Sequence, residues 1–324
     1  MMPEVLVQIR NLVINFYTYR GVVKAINGVS LTIKKGEFFG LVGETGCGKS
    51  VTASAILNLV QNPGKIEKGE ILFKGEDILS MKEDEIRDRI RGKEITMIMQ
   101  HPVAALNPVI RNGDQIAEAL NKKMSEGEAK KRAIELLKEV NIPEPENVAN
   151  QYPHQLSGGM AQRVMIAMML STEPSLLIAD EPTTALDVSI QAQVLLLLKD
   201  LIKKHKASVL LITHDLSVVS ETCDRVGVMY AGDMVEVGEV DQIIDSPKHP
   251  YTKGLIRAIP SDYRKELVGI RGTVPDLVNP PSGCRFHPRC DYANEVCKEK
   301  KPKTIQVETD HTVACFLYEE AKSG

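Results

Sequence analysis

Apolar positions along the chain fall first into short runs separated by glycine turns, and then into stretches of helical period. Residues 1–100 read as short apolar strands between glycine turns. The run ending in Gly40-Leu41-Val42 is a buried strand, and Val51–Val60 carries apolar residues at helical spacing. Ile95–Met99, Leu176–Ala179 and Val209–Thr213 are three further apolar runs of strand length. Gln115–Leu120 and Glu128–Val140 have helical patterns, so residues 101 to about 165 are expected to form a helical subdomain. HPVAALNP at 101–108 contains two prolines and is expected to be an exposed connector, while Pro143, Pro145 and Pro153 interrupt helices and mark a second, mobile link. Residues 166–235 return to strands and helices. The whole pattern predicts an α/β fold, a mixed sheet with helices.

The segment between the Val42 strand and the Val51 helix is the first to carry chemistry. It reads Gly43, Glu44, Thr45, Gly46, Cys47, Gly48, Lys49, Ser50, followed by Val51, a full match to G-x-x-x-x-G-K-S. Three glycines let the backbone turn tightly, with positive φ where needed. Amide N–H groups can then face phosphate oxygens, helped by the positive end of the following helix. Lys49 would reach the β- and γ-phosphates, and the Ser50 hydroxyl would join a Mg²⁺ shell. Cys47 is a small residue at a variable position, with thiol sensitivity as the less expected alternative.

Two more features follow. Asp180 ends the Leu176 strand, where its carboxylate can hold Mg²⁺ through water, and Glu181 comes next, placed to polarise an attacking water. Upstream lies LSGGMAQR, in which Ser157, Gly158, Gly159 and Met160 open a helix and make a second dipole-assisted anion site.

Together these motifs resemble the ATP-binding subunits of ABC transporters. The resemblance implies a P-loop NTPase of the ABC ATPase type, with a helical subdomain carrying the signature turn. It also assigns roles. Gln100, after Ile95–Met99, would touch Mg²⁺ and the lytic water; His214, after Val209–Thr213, would contact the γ-phosphate. Asp187 would couple two ATP sites across a dimer. An aromatic ring from Phe16, Tyr17 or Tyr19 would stack on adenine; only 4% of residues are aromatic, so three within four positions stand out. In that family the signature turn caps the ATP of a facing subunit, so hydrolysis requires two ATPase subunits head to tail. Met160 in place of the usual glutamine, and the ending DSPKHPYTKGLIRAIP from Asp245, resemble the oligopeptide and dipeptide importers, in particular their D-type subunit.

Net charge is −3, which argues against a dedicated nucleic-acid surface. No run approaches about 18 consecutive apolar residues, so a transmembrane helix is not expected. The start MMPEVLVQIR lacks the basic and apolar regions of a signal peptide. The expected address is therefore the cytoplasmic face of the cell membrane, reached through partners. The resemblance implies a second ABC ATPase (a paralogue), two transmembrane permease subunits and, indirectly, an extracytoplasmic peptide-binding protein. The alternative is a soluble ABC ATPase acting on nucleic acid or ribosomes, or an importer of nickel or oligosaccharide.

Four of the six cysteines, Cys284, Cys290, Cys297 and Cys315, cluster near the C-terminus with five, six and seventeen residues between them. In a cytosolic protein such a cluster points to metal ligands before disulfides. The spacing lacks tight C-x-x-C arms. A [4Fe–4S] cluster, as some peptide-importer ATPases carry, is the leading expectation, with Zn²⁺ or ordinary packing as alternatives. Pro280, Pro281 and Pro288 are expected to keep the segment extended, so that a metal staple would supply stability. Cys223 is expected to be a buried helix residue. The expected organisation is an ATP-binding domain over residues 1–265, with its helical subdomain at about 101–165, and a small Cys-rich C-terminal domain over residues 266–324.

Overall fold

The computed structural model describes residues 4–100, 105–120, 124–183, 187–258 and 269–319. In chain order the strands are β1 (Val5–Thr18), β2 (Gly21–Lys34), β3 (Phe38–Val42), β4 (Gly64–Phe73), β5 (Glu76–Asp77) and β6 (Ile95–Ile98). They continue with β7 (Leu176–Asp180), β8 (Ser208–Thr213), β9 (Arg225–Tyr230), β10 (Asp233–Glu239), β11 (Thr304–Glu308) and β12 (His311–Ala314). The chain divides into two compact units, one made of residues 1–80 and 212–324, the other of residues 81–211.

In the first unit, β1, β2, β4 and β5 form an antiparallel sheet in the order β2-β1-β4-β5. The expected short strands are here two ribbons of 14 residues each. A bulge in β1 hid their length from the sequence pattern. Val7 and Ile9 are buried, then Leu12 and Ile14, so the buried face changes from odd to even positions. Asn11 has φ 47° and pairing shifts register between Ile9 and Leu12, the extra residue that resets the alternation. Opposite it, Gly69 (φ 110°) leaves no room for a Cβ against Leu12.

The second sheet of this unit centres on β3, all five residues of which are buried. Such an unbroken apolar strand suits a parallel neighbour with both faces covered, and β3 pairs in parallel with β9. β10 runs antiparallel to β9, β12 to β10 and β11 to β12. Arg225 at the start of β9 makes a 2.9 Å ion pair with buried Glu37, whose other oxygen accepts from the Lys34 amide at 2.5 Å.

The second unit pairs β6 with β7 in parallel and packs helices around them. Helices span Asn112–Leu120, Glu126–Glu139, Pro145–Asn150, Gly158–Leu170 and Val188–His205. Pro145, read as an interruption, instead opens a helix at its first turn, where its missing N–H is harmless. Glu126–Glu139 starts with a Ser125/Glu128 capping box. Gly158–Leu170 is apolar almost all round and buries Val164, Met165, Ile166, Ala167 and Leu170; each large side chain contributes about 1.5–3 kcal/mol. Lys203 and Lys204 sit in the last turn of Val188–His205, favourable to the helix dipole, and Lys204 pairs with Glu139 at 2.8 Å. Residues 101–104 of the expected connector lie outside the described residues; beyond them Asn107 and Pro108 are exposed, but Leu106 is buried. Among the described residues, no helix is long and apolar enough to cross a membrane.

Candidate nucleotide site and cysteine-rich segment

The phosphate loop leaves β3 at Gly43 and closes on a helix, Lys49–Ile56. Gly43 (φ 151°) passes so close to the Met229 carbonyl that a Cβ would collide with it. Gly48 caps the helix in the left-handed region (φ 107°), with Ile26 and the Ala25 carbonyl filling the space a side chain would need. Lys49 is buried, and its Nζ donates to the carbonyls of Gly43 at 2.7 Å and Glu44 at 3.3 Å. The lysine therefore spans the mouth of its own loop. Cys47 is fully buried and burial pushes its thiol pKa up, which fits packing and not the thiol sensitivity weighed above. Thr45, Gly46 and Ser50 complete the loop, and Val51 lies inside its helix.

Of the three aromatics, Phe16 is half-buried and packs where a Cβ on Gly64 would go. Tyr17 donates to Glu67 at 2.8 Å and lies under Lys65. Tyr19, beside the β1–β2 turn, is 91% exposed. His214 follows β8 and is exposed at the entry to the helix Leu216–Thr222, which Asp215 caps. Cys223 is buried, but it stands at the end of that helix and not within it.

In the second unit, Asp180 ends β7 half-buried and Glu181 follows in the left-handed region, φ 46°. A non-glycine residue at such a φ is held there by its surroundings, a feature that gathers at functional sites. Gln100 Nε2 donates to Glu181 Oε2 at 3.3 Å, bringing together the two residues read as handling the lytic water. β6 ends at Ile98, one residue earlier than expected, and Met99 is exposed. Ser157 caps the helix that carries Gly158, Gly159 and Met160, accepting from the Met160 amide at 3.3 Å. Gly159 leaves no room for a Cβ against Ile190. Asp187 stands exposed at the start of Val188–His205; Thr184–Leu186 of the motif before it lie outside the described residues.

The cysteine-rich segment shows contacts that the sequence did not reveal. Cys284, Cys290, Cys297 and Cys315 line one cavity of about 130 Å³, together with His249, Tyr292 and Asn294. Burial, and then the neighbouring thiols, push the Cys284 pKa up to about 12 and that of Cys315 up to about 11; Cys290 is raised for the same reasons. Among the described residues, no three His, Cys, Asp or Glu side chains converge at the spacing of a metal-binding group. The sulfurs thus share a cavity but stand around it. Pro288, expected in extended chain, lies in a short 3₁₀ turn, His287–Arg289.

Arg289 in that turn reaches the phosphate loop. Its Nη1 and Nη2 make a bidentate pair with Glu44 at 2.6 and 3.0 Å, which raises the guanidinium pKa further. Tyr251 Oη accepts from the Glu44 amide at 2.9 Å. The rings of Tyr230, Tyr251 and Phe286 meet at 4.7–5.4 Å and seat the segment on β9 and on the helix Pro250–Arg257. Below them Glu236, fully buried on β10, accepts from the amides of Lys248 (2.6 Å) and His249 (2.9 Å) and faces His311 Nε2 at 2.8 Å. Burial holds His249 down to about pH 4, so its neutral Nδ1 accepts from the Tyr251 amide and caps that helix. No local signal marks Arg289, Tyr251 or Glu236, because each partner lies far away in sequence.

A strand–phosphate loop–helix, an acidic pair closing a second strand and a capped glycine turn define an ATP-binding cassette. The ABC transporter family profile matches residues 26–184, and that of the oligopeptide/dipeptide transporter C-terminal region matches residues 235–297. The chain is 52% identical to the oligopeptide transport ATP-binding protein OppD of Bacillus subtilis over 96% of its own length and 88% of that protein's. It is 49% identical to the dipeptide transport ATP-binding protein DppD of the same organism, over 98% and 96%. The chain belongs to the ABC transporter ATP-binding proteins. Among solved structures, a dimeric ATP-binding cassette in a post-hydrolysis state bound to ADP and Pi is similar (TM-score 0.64, 30% identity, 72% of this chain and 99% of that one). So is a cassette of a Clostridium perfringens ABC transporter complex (TM-score 0.65, 29% identity, 75% and 92%).

Proposed function

We propose that this chain is the ATP-hydrolysing subunit of a peptide importer, bound at the cytoplasmic face of the membrane to two permease subunits and a second, paralogous ATPase. The observation that carries the ATP reading is the loop itself: Gly43 forced against Met229, Gly48 left-handed at the helix start and Lys49 buried across its mouth. Phosphates of ATP take the loop amides and Lys49. Ser50, Asp180 and Gln100 serve Mg²⁺. Glu181 orients and polarises the water, and Gln100, already hydrogen-bonded to it, holds that carboxylate. His214 contacts the γ-phosphate, and an exposed ring at Tyr19, or Phe16 or Tyr17, stacks on adenine. Ser157–Met160 caps the partner's ATP, with Asp187 coupling the two sites. Peptides as cargo rest on the names of the relatives and on the match at residues 235–297.

The ATP-binding domain over residues 1–265 is followed by a Cys-rich extension, residues 266–324, whose four thiols hold a metal group. What supports this is the shared cavity. A four-iron cluster gives each thiolate its own iron and suits sulfurs standing around a cavity. A single Zn²⁺, with Zn–S near 2.3 Å, is the alternative and would draw the four sulfurs closer together than a cluster would. Cys284, Cys290, Cys297 and Cys315 would hold the group as thiolates, and the chemistry it would supply is structural, a cross-link between their segments.

Glu181→Gln tests the assignment. In the assembled importer it should keep ATP affinity within about threefold and lower turnover by about 10²- to 10⁴-fold. Hydrolysis at the wild-type rate would remove Glu181 from the mechanism.

A further inference from the structure

The cysteine-rich segment grips the phosphate loop at two points. Arg289 is buried, and its fork closes on both oxygens of Glu44 at 2.6 and 3.0 Å. The same guanidinium donates to the carbonyls of Arg271 at 2.8 Å and Gly272 at 3.3 Å, and lies 5.6 Å from the Tyr230 ring centre. It is therefore fixed by the segment's own backbone before it meets the loop. Tyr251, fully buried, accepts the Glu44 amide at 2.9 Å. That amide is therefore engaged by the protein itself, and the Glu44 carbonyl in turn accepts from the Cys47 amide at 3.2 Å. The second grip is indirect. Arg285 donates to the carbonyls of Ala231 and Lys24, and Gly232, next to Ala231, donates its amide to the Cys47 carbonyl at 2.9 Å. Arg285 follows Cys284 directly and Arg289 directly precedes Cys290, so whatever orders these cysteines also places both arginines.

We propose that Arg289 and Tyr251 are positioning residues for ATP: through Glu44 they hold the phosphate loop in its nucleotide-receiving shape, making the cysteine-rich segment part of the ATP site's support. This rests on the reading of Gly43–Ser50 as the phosphate cradle. A loop free to leave that shape loses the fraction of molecules ready to bind, and ATP affinity falls by that fraction. A purely structural ion pair would stabilise the segment and leave ATP affinity alone.

The test is ATP affinity of the purified full-length chain, by titration with a fluorescent ATP analogue, together with KM and kcat in the assembled importer. Glu44→Gln keeps the size of the side chain but removes its charge; Arg289→Lys keeps charge but cannot fork. Each should raise Kd and KM for ATP by about five- to tenfold. Arg289→Met combined with Glu44→Gln should be no worse than Arg289→Met alone by more than about twofold, because both remove one contact. Additive losses, or a Kd within about twofold of wild type for both Glu44→Gln and Arg289→Lys, would overturn the proposal, as would a fall in kcat alone. Should Arg289→Met fail to fold, the two conservative variants decide the matter. Lys49→Ala separates the two levels: unchanged ATP affinity there removes the cradle reading itself. Lost affinity in Lys49→Ala beside normal affinity in Arg289→Lys removes only the positioning role.

Discussion

Replacing Glu236 with leucine should loosen the attachment of the C-terminal strands to the ATPase sheet. The carboxylate, 1% exposed, accepts from the Lys248 and His249 amides and meets the fully buried His311 ring, so it joins β10 to β12 and to the entry of the helix Pro250–Arg257. Burial alone would raise its pKa; hydrogen bonds from His311 and the two amides outweigh that and hold it below the ordinary glutamate range. Leucine fills a similar volume but strands the His249 amide and the His311 ring in a dry site. Breaking one side of such a buried arrangement costs about 3–5 kcal/mol, a large part of a typical domain's 5–15. Urea unfolding followed by circular dichroism should show the midpoint fall by about 1–2 M. The sign with pH follows from the depressed pKa. The stabilisation is fully present above the unfolded value near 4.5 and is lost as pH falls through the folded one. Glu236→Gln should thus be weaker than wild type at pH 7, and the gap should close as pH drops below about 4.5. A Glu236→Leu midpoint within about 0.2 M of wild type, or a gap to Glu236→Gln that is constant with pH, would refute the reasoning.

Three other outcomes are expected. Ser157→Arg should block the partner's ATP site more than this chain's own, so a mixed dimer that kept full hydrolysis would end the capping role. Anaerobic metal analysis should find iron and sulfide near four each, with a broad absorption band around 400 nm; zinc alone would replace the cluster with a single-ion staple, and no metal would return the thiols to packing. Glu37→Ala leaves Arg225 without its 2.9 Å partner in a mostly buried position and should cost about 3–5 kcal/mol in thermal or urea unfolding; a loss under about 1 kcal/mol would show that water reaches the guanidinium.

The candidate site's motifs were legible in the sequence because each is local. Gly43–Ser50 lies between a five-residue apolar strand and a helix, and Asp180-Glu181 closes another strand; eight residues or fewer carry each signal. Boundaries were less legible. The helix after the loop was expected to reach Val60 but stops at Ile56, because Asn58 takes a left-handed turn (φ 50°) that no apolar period announces. The bulge at Asn11 broke the alternation of β1 and disguised a 14-residue strand as shorter pieces. The four cysteines were visible as a set, whereas their common cavity depends on how β12 and the 3₁₀ turn meet. The contacts through Glu236 and Arg289 are tertiary facts, fixed by packing of aromatic rings whose partners lie elsewhere in the chain.

The 245 residues separating Glu44 from Arg289 bear on how the protein is born. At about 5–20 residues per second, the ribosome releases the phosphate loop roughly 12–50 s before the arginine that grasps it. The first unit is split in the same way, opening with residues 1–80 and finishing only with residues 212–324, while the second is translated as one uninterrupted stretch. Contacts between such distant residues form slowly, since loop closure must precede them. A nascent chain therefore carries a recognisable nucleotide motif long before its supports exist. Truncation near the C-terminus should accordingly yield a chain that retains the motif and lacks the grip.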